Sequence, residues 1–140
     1  MPSAVLIVDD EPQVARVVQM TLERAGLNAW IANGGKEAIE IYTRNPVAIA
    51  LVLMDVQMPD MDGVQTLSEL RKVNPEVRCC FMSGSTGKYS DVDLLQAGAT
   101  LVLNKPAFLS SVGQVATIFV ELFKAAKEAE RQRQCPKPDE

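Results

Sequence analysis

Five short apolar runs, separated by longer segments of helical periodicity, constrain the fold of this chain more than any other feature of its sequence. The runs cover residues 4–8, 28–32, 49–54, 77–82 and 101–103. All but the second are nearly continuous in apolar residues, a pattern typical of strands that helices cover on both faces. The sequence therefore predicts a parallel sheet.

The segments between these runs carry apolar residues at helical spacing. The first starts at Pro12, a residue favoured at the first helical position, and places Val14, Val18 and Leu22 on one stripe before Gly26 stops it. Further helices are predicted at residues 36–44, 64–73, 90–97 and 110–129. Because strand and helix alternate and parallel crossovers are right-handed, we expect an α/β fold, a doubly wound sheet with helices on both faces.

The length and charge of the chain limit its organisation and its partners. A chain of 140 residues suits one domain with a complete core, which we assign to residues 1–130. Residues 131–140 contain two prolines and no apolar periodicity, and we expect them to form a disordered polar tail. A net charge of −4 argues against nucleic acid or an anionic membrane as the main partner. No apolar run approaches the roughly 18 residues of a membrane span, so we expect a cytoplasmic protein.

Cysteine and histidine usage excludes several kinds of site. Cys79 and Cys80 are adjacent in an apolar run, and Cys135 lies in the polar tail. This spacing matches neither a zinc site nor a disulfide framework, so we expect reduced, mostly buried thiols. The chain contains no histidine, which removes the commonest general base. If phosphohistidine chemistry involves this chain, the histidine belongs to another protein.

Charged residues follow three of the apolar runs, where parallel strands would end. Asp9 and Asp10 follow the first run, Asp55 follows the third, and Lys105 follows the fifth. Ligands of doubly wound sheets bind at the carboxyl ends of the strands. Neighbouring carboxylates repel each other and normally need a cation beside them, and hard oxygen ligands favour Mg²⁺. These residues therefore predict a site for a divalent cation and a phosphoryl group.

Several short motifs, in order along the chain, resemble the receiver domain of the two-component response regulators. They are VDDE at residues 8–11, MDVQMP at 54–59 with Gly63, MSG at 82–84, AGA at 97–99, and Lys105-Pro106. The resemblance covers about residues 4–125. Each motif alone is weak, and the set at receiver spacing is specific. It implies a flavodoxin-like (βα)5 three-layer sandwich with five parallel strands in the order 2-1-3-4-5.

The resemblance also implies a metal site and a phosphoacceptor. Asp55 would be the carboxylate nucleophile that takes the phosphoryl group. Mg²⁺ would be bound directly by Asp10 and Asp55, through water by Asp9, and by the main-chain carbonyl of Gln57. The metal would offset the charge on the nucleophile and on the transferring phosphoryl oxygens.

The same resemblance implies contacts to the phosphoryl group and a set of partners. The Lys105 ammonium, the Ser83 hydroxyl and the backbone N–H of Gly84 would contact its oxygens. The donor would be a histidine kinase or a histidine phosphotransfer protein, and the output a conformational change read by a downstream effector protein, with homodimer formation on activation left open. Such a protein is a signalling switch rather than an enzyme, because it catalyses only its own phosphorylation and slow dephosphorylation.

Single positions bear on two alternative functions: Val102 supports the first, and Gln57 argues against the second. Many receivers place a Tyr or Phe three residues before the lysine, where this chain has Val102. A valine cannot act as a large rotating ring, and this supports a receiver-like interaction module that works without phosphate. A magnesium phosphatase with an aspartate nucleophile usually has a second acid two places after the nucleophile, where this chain has Gln57.

Overall fold

Five parallel strands form one sheet in the order β2-β1-β3-β4-β5 in the computed structural model, which describes residues 3–84, 88–104 and 112–134. The strands are β1 (Ala4–Val8), β2 (Asn28–Ala32), β3 (Ile49–Asp55), β4 (Cys79–Ser83) and β5 (Leu101–Asn104). The helices are α1 (Pro12–Arg24), α2 (Gly35–Arg44), α3 (Gly63–Val73), α4 (Asp91–Gln96) and α5 (Val112–Gln134). The predicted fold class and strand order are confirmed.

The alternation of side chains along the strands divides the core into two layers. Val5 and Ile7 of β1 point into the layer that α1 and α5 cover, and Leu6 and Val8 point into the layer that α2, α3 and α4 cover. Every residue of β1 and β3 is buried, because both strands lie inside the sheet and have helices on both faces. The continuous apolar runs in the sequence have this physical origin.

Local signals in the sequence set the helix boundaries. Pro12 begins α1, and Gly26, at φ 86°, follows its end in the left-handed conformation that glycine adopts at little cost. Capping boxes begin α3 and α4, in which Asp62 and Ser90 each accept a hydrogen bond from the backbone N–H three residues later.

Helix α5 is longer than the sequence analysis expected. It continues to Gln134 and so includes residues 131–134, which we had assigned to the tail. A pairing of Arg131 with Glu128 one turn earlier supports this last segment, and the next residue that breaks a helix is Pro136. Residues 135–140 lie outside the described residues. Among the helices that the structure describes, none is long and apolar enough to cross a membrane.

The two adjacent thiols of β4 lie in the core. Cys79 and Cys80 are free and buried on opposite faces of the sheet. Burial raises the pKa of Cys80 to about 12 and holds the pKa of Cys79 well above its usual range. The prediction of buried thiols is confirmed for these two residues, and Cys135 lies outside the described residues.

Candidate functional site

The carboxyl edge of the sheet gathers four acidic side chains at the ends of its two central strands. Asp9, Asp10 and Glu11 follow β1, and Asp55 is the last residue of β3. One carboxylate oxygen from each lies within 4.8 Å of the oxygens from the other three. The structure thus brings together the three acids that the sequence analysis selected. It adds Glu11, the last residue of the VDDE motif, which was not predicted to be a metal ligand.

The four carboxylates differ in their contact with solvent. Asp9 is fully buried, Asp55 is 6% exposed, Asp10 is half-buried and Glu11 is exposed. The backbone N–H of Glu11 donates to Asp9 Oδ1 at 2.9 Å, which fixes the turn between β1 and α1. Two like charges at about 4 Å repel by about 1 kcal/mol in water, and by more where burial excludes water. The cluster therefore favours a bound cation.

The donor set and its dimensions fit Mg²⁺. An octahedral magnesium site holds its oxygens at about 2.1 Å, so ligand oxygens lie about 3 to 4.2 Å apart. The mutual limit of 4.8 Å is close to that range, and small side-chain rotations would bring the oxygens within it. All four donors are hard carboxylate oxygens, and no histidine exists in the chain to favour a softer metal.

The start of α3 holds the strand end that carries Asp55. The backbone N–H of Gly63 donates to the carbonyl of Val56 at 2.8 Å. A Cβ atom at position 63 would lie only 2.4 Å from the backbone oxygen of Asp55 and 3.1 Å from the ring of Phe81. Glycine therefore permits a close approach that any side chain would prevent. This contact places the N-terminus of α3 directly against the strand end that carries Asp55.

Most of the other residues that the family resemblance implied lie on β4 or in the loops beside it. Ser83 ends β4, the strand beside β3, and its hydroxyl donates to the carbonyl of Gly84 at 2.9 Å. Gly84 is exposed, and Gln57 lies in the loop that joins β3 to α3. Lys105 lies outside the described residues, so its role stays a prediction. Val102 of β5 is half-buried beside Phe81 of β4 and packs on the core.

A cleft of about 420 Å³ opens beside the acidic cluster. It is lined by residues 56–59, Asp62, Lys88 and Tyr89. The Tyr89 hydroxyl donates to Asp62 Oδ2 at 2.9 Å and so joins the loop before α3 to the segment before α4. This hydrogen bond raises the pKa of Tyr89, because the Asp62 carboxylate stabilises the protonated hydroxyl. No pattern in the sequence indicates this contact, because Tyr89 and Asp62 are 27 positions apart.

Comparison with protein families gives a match over most of the domain. Residues 5–115 match the response regulator receiver domain family. A relative, the autoinducer 1 sensor kinase/phosphatase LuxN of Vibrio harveyi, is 32% identical over 130 residues, which is 93% of this chain and 15% of LuxN. The transcriptional regulatory protein ZraR of Escherichia coli is 36% identical over 102 residues, 73% of this chain and 23% of ZraR. The chain thus spans less than a quarter of either relative.

Among solved structures, the CheX-CheY-BeF3-Mg²⁺ complex from Borrelia burgdorferi contains a similar chain. The two chains superpose with a TM-score of 0.76 at 31% identity, and the match covers 85% of this chain and 90% of the other. This protein therefore resembles these chains both in sequence and in the arrangement of its five strands.

Proposed function

Because the chain belongs to the response regulator receiver domain family, we propose that it accepts a phosphoryl group on Asp55 in a Mg²⁺-dependent reaction. The observation that carries this proposal is the convergence of Asp55, at the end of β3, with three further carboxylates. Asp55 is only 6% exposed. Few water molecules therefore compete with a cation or a phosphoryl group for its carboxylate oxygens. A carboxylate can act as the nucleophile in phosphoryl transfer, and a divalent cation would offset the repulsion among the four acids.

The cation would be held by this chain's own oxygens. Asp10 and Asp55 would bind it directly, Asp9 through water, and the main-chain carbonyl of Gln57 would complete the protein ligands. Glu11, which lies in the same cluster, would add to the negative potential around the ion. When bound, Mg²⁺ offsets the charge of the nucleophile and of the phosphoryl oxygens.

The remaining site residues would bind the transferred group. An oxygen of Asp55 would form a bond to phosphorus while the bond from phosphorus to the donor breaks. The electron pair of the broken bond would leave with the donor. The Ser83 hydroxyl would exchange its hydrogen bond to Gly84 for one to a phosphoryl oxygen. The ammonium of Lys105 and the backbone N–H of Gly84 would bind the other oxygens.

The donor would be a histidine kinase or a histidine phosphotransfer protein, and an effector protein would read the result. The chain has no histidine of its own, so a phosphohistidine must come from a partner. One relative is itself a sensor kinase/phosphatase, which supports a kinase as the donor. The chain would then act as a switch that catalyses its own phosphorylation and slow dephosphorylation.

The test is intact-mass spectrometry after incubation with a small acyl phosphate and Mg²⁺. The wild-type chain should gain one phosphoryl group, Asp55→Asn should gain none, and a metal chelator should abolish the gain in the wild type. Asp60→Asn is the matched control, because Asp60 lies in the same part of the chain at φ 69°, a conformation that Asn also tolerates. Phosphorylation of Asp55→Asn at the wild-type level would refute the assignment.

The two alternatives are not favoured. An interaction module without phosphate gives no role to the convergence of four carboxylates at one edge of the sheet. A magnesium phosphatase with an aspartate nucleophile usually has an acid at the position that Gln57 occupies here.

A further inference from the structure

Helix α4 is held to the rest of the protein by few side chains. It spans only Asp91–Gln96, and Leu94 is its one fully buried residue. Val92 and Leu95 are 61% and 48% exposed. A short helix with one buried anchor can shift at a small cost in free energy, because little apolar surface leaves the core when it moves.

Tyr89 ties the start of α4 to the start of α3. It immediately precedes Ser90, the residue that caps α4, and its hydroxyl donates to Asp62 Oδ2 at 2.9 Å. The other oxygen of Asp62 accepts a hydrogen bond from the backbone N–H of Gln65 at 2.8 Å and so caps α3. One carboxylate therefore holds the N-termini of both helices. The Tyr89 ring packs against the same apolar cluster as Leu94.

The α3 end of this connection reaches the acidic cluster directly. Asp62 precedes Gly63, whose backbone hydrogen-bonds to Val56 and packs against the backbone of Asp55. A change at Asp55 that moves the segment between Val56 and Gly63 would therefore move the acceptor of the Tyr89 hydrogen bond.

We propose that Tyr89 is a positioning residue that couples the acidic site to α4 through its hydrogen bond to Asp62. This inference rests on the proposed function. The hydrogen bond is made in the conformation described here and is lost when a phosphoryl group on Asp55 moves α4. Tyr89 thereby does what Val102 cannot, because a half-buried valine in β5 has neither a ring to rotate nor a hydroxyl to release.

Two substitutions break this hydrogen bond from opposite sides and leave the helix caps in place. Tyr89→Phe removes the hydroxyl and keeps the ring on the core. Asp62→Ser keeps an oxygen that can accept from the backbone N–H of Gln65, and removes the second oxygen that accepts from Tyr89. The double variant should behave like either single variant, because all three lack the same interaction.

The matched control is Tyr42→Phe. The Tyr42 hydroxyl also joins two elements, by accepting a hydrogen bond from Asn74 Nδ2 at 3.1 Å, and Tyr42 is not among the residues that line the cleft. The chain has two tyrosines, so this variant also leaves Tyr89 as the only one. The phenolic pKa of Tyr89 can then be titrated by absorbance, and a raised pKa that falls when Asp62→Ser is added shows that Tyr89 contacts Asp62 in solution.

The experiment is an NMR titration of each variant with beryllofluoride and Mg²⁺, a mimic of the phosphoryl group. In Tyr89→Phe and Asp62→Ser, the α4 amide signals should start displaced along the line from the free to the bound wild-type positions. The affinity for beryllofluoride should rise by about threefold to tenfold, since a lost hydrogen bond no longer favours the free conformation. Tyr42→Phe should keep the wild-type positions and affinity.

The results separate failure of this inference from failure of the proposed function. If the wild type binds beryllofluoride but both variants keep wild-type α4 signals and affinity, the coupling through Tyr89 is refuted. A lower affinity in the variants also refutes it, because the hydrogen bond would then favour the activated form. If the wild type shows no response to beryllofluoride and Mg²⁺, the proposed function itself fails.

Discussion

The centre of the sheet and its β5 edge differ in how firmly they are packed. Strands β1 and β3 are buried along their whole length and carry the acidic cluster at their carboxyl ends. At the β5 edge, Leu101 is 37% exposed, and the neighbouring α4 buries only Leu94 completely. Both regions belong to one sheet, but its two central strands have a neighbouring strand on each side, whereas β5 is the last strand of the sheet among the described residues.

The two regions suit different parts of a switch. Ligand oxygens must stay within a few tenths of an ångström to hold a small ion, and closely packed strands supply that precision. A response to a local event needs a part that can change position at a small cost in free energy, and α4 is such a part. The two halves meet where Asp62 accepts the hydrogen bond from Tyr89.

We expect the greatest change in stability when a leucine in the centre of the sheet is replaced by alanine, compared with the same replacement in α4. Leu53 of β3 is fully buried, and Leu95 of α4 is 48% exposed. Leu53→Ala should lower the free energy of unfolding by about 3 to 5 kcal/mol, because it leaves a cavity in the core. Leu95→Ala should lower it by less than about 1 kcal/mol. Urea denaturation measures both, and similar losses would show that the edge is packed like the centre.

A smaller effect is expected from filling the contact between α3 and Asp55. Gly63→Ala places a methyl group against the backbone oxygen of Asp55 and should cost about 1 to 3 kcal/mol, with slower phosphorylation as the strand end shifts. Gly34→Ala is the control, since no described atom lies within 4 Å of a Cβ there and its φ of 176° is ordinary extended backbone. If Gly63→Ala matched the control in stability and rate, the close approach would have no influence on Asp55.

The smallest effect is expected at the exposed member of the acidic cluster. Glu11→Gln removes one negative charge beside the ion and should weaken Mg²⁺ binding about fivefold, because exposed charges at this separation interact by about 1 kcal/mol. Glu23→Gln, at the far end of α1, should leave the affinity unchanged. Calorimetric titration with Mg²⁺ measures both variants. An unchanged affinity in Glu11→Gln would remove Glu11 from the metal site.

Much of the fold and part of the site followed from local patterns. Continuous apolar runs indicated parallel strands. Because parallel strands end at the same edge of a sheet, Asp9, Asp10 and Asp55 were predicted to lie close together. The structure confirms the parallel sheet and brings these three acids together. The strand order, which the structure also confirms, was implied by the family resemblance and not by these local patterns. A strand-end residue is predictable because the direction of a strand fixes where its end lies.

The features that were missed depend on contacts between distant segments or on side-chain direction. Tyr89 and Asp62 are 27 positions apart, and no local periodicity indicates that the two loops meet. Glu11 joins the cluster only because the turn before Pro12 directs its side chain back towards β1. The last turn of α5 contains an exposed pair between Arg131 and Glu128, which stabilises a helix only weakly. The two prolines that follow it in the sequence favoured a disordered tail instead.

Amide hydrogen exchange of the wild-type chain, with and without beryllofluoride and Mg²⁺, distinguishes the closely packed centre of the sheet from α4. If the packed centre holds the ligands and the edge responds, exchange should change most in residues 91–96 and little in residues 4–8 and 49–54. Equal changes in the central strands and in α4, or a change confined to the central strands, would contradict the division between a fixed site and a mobile helix.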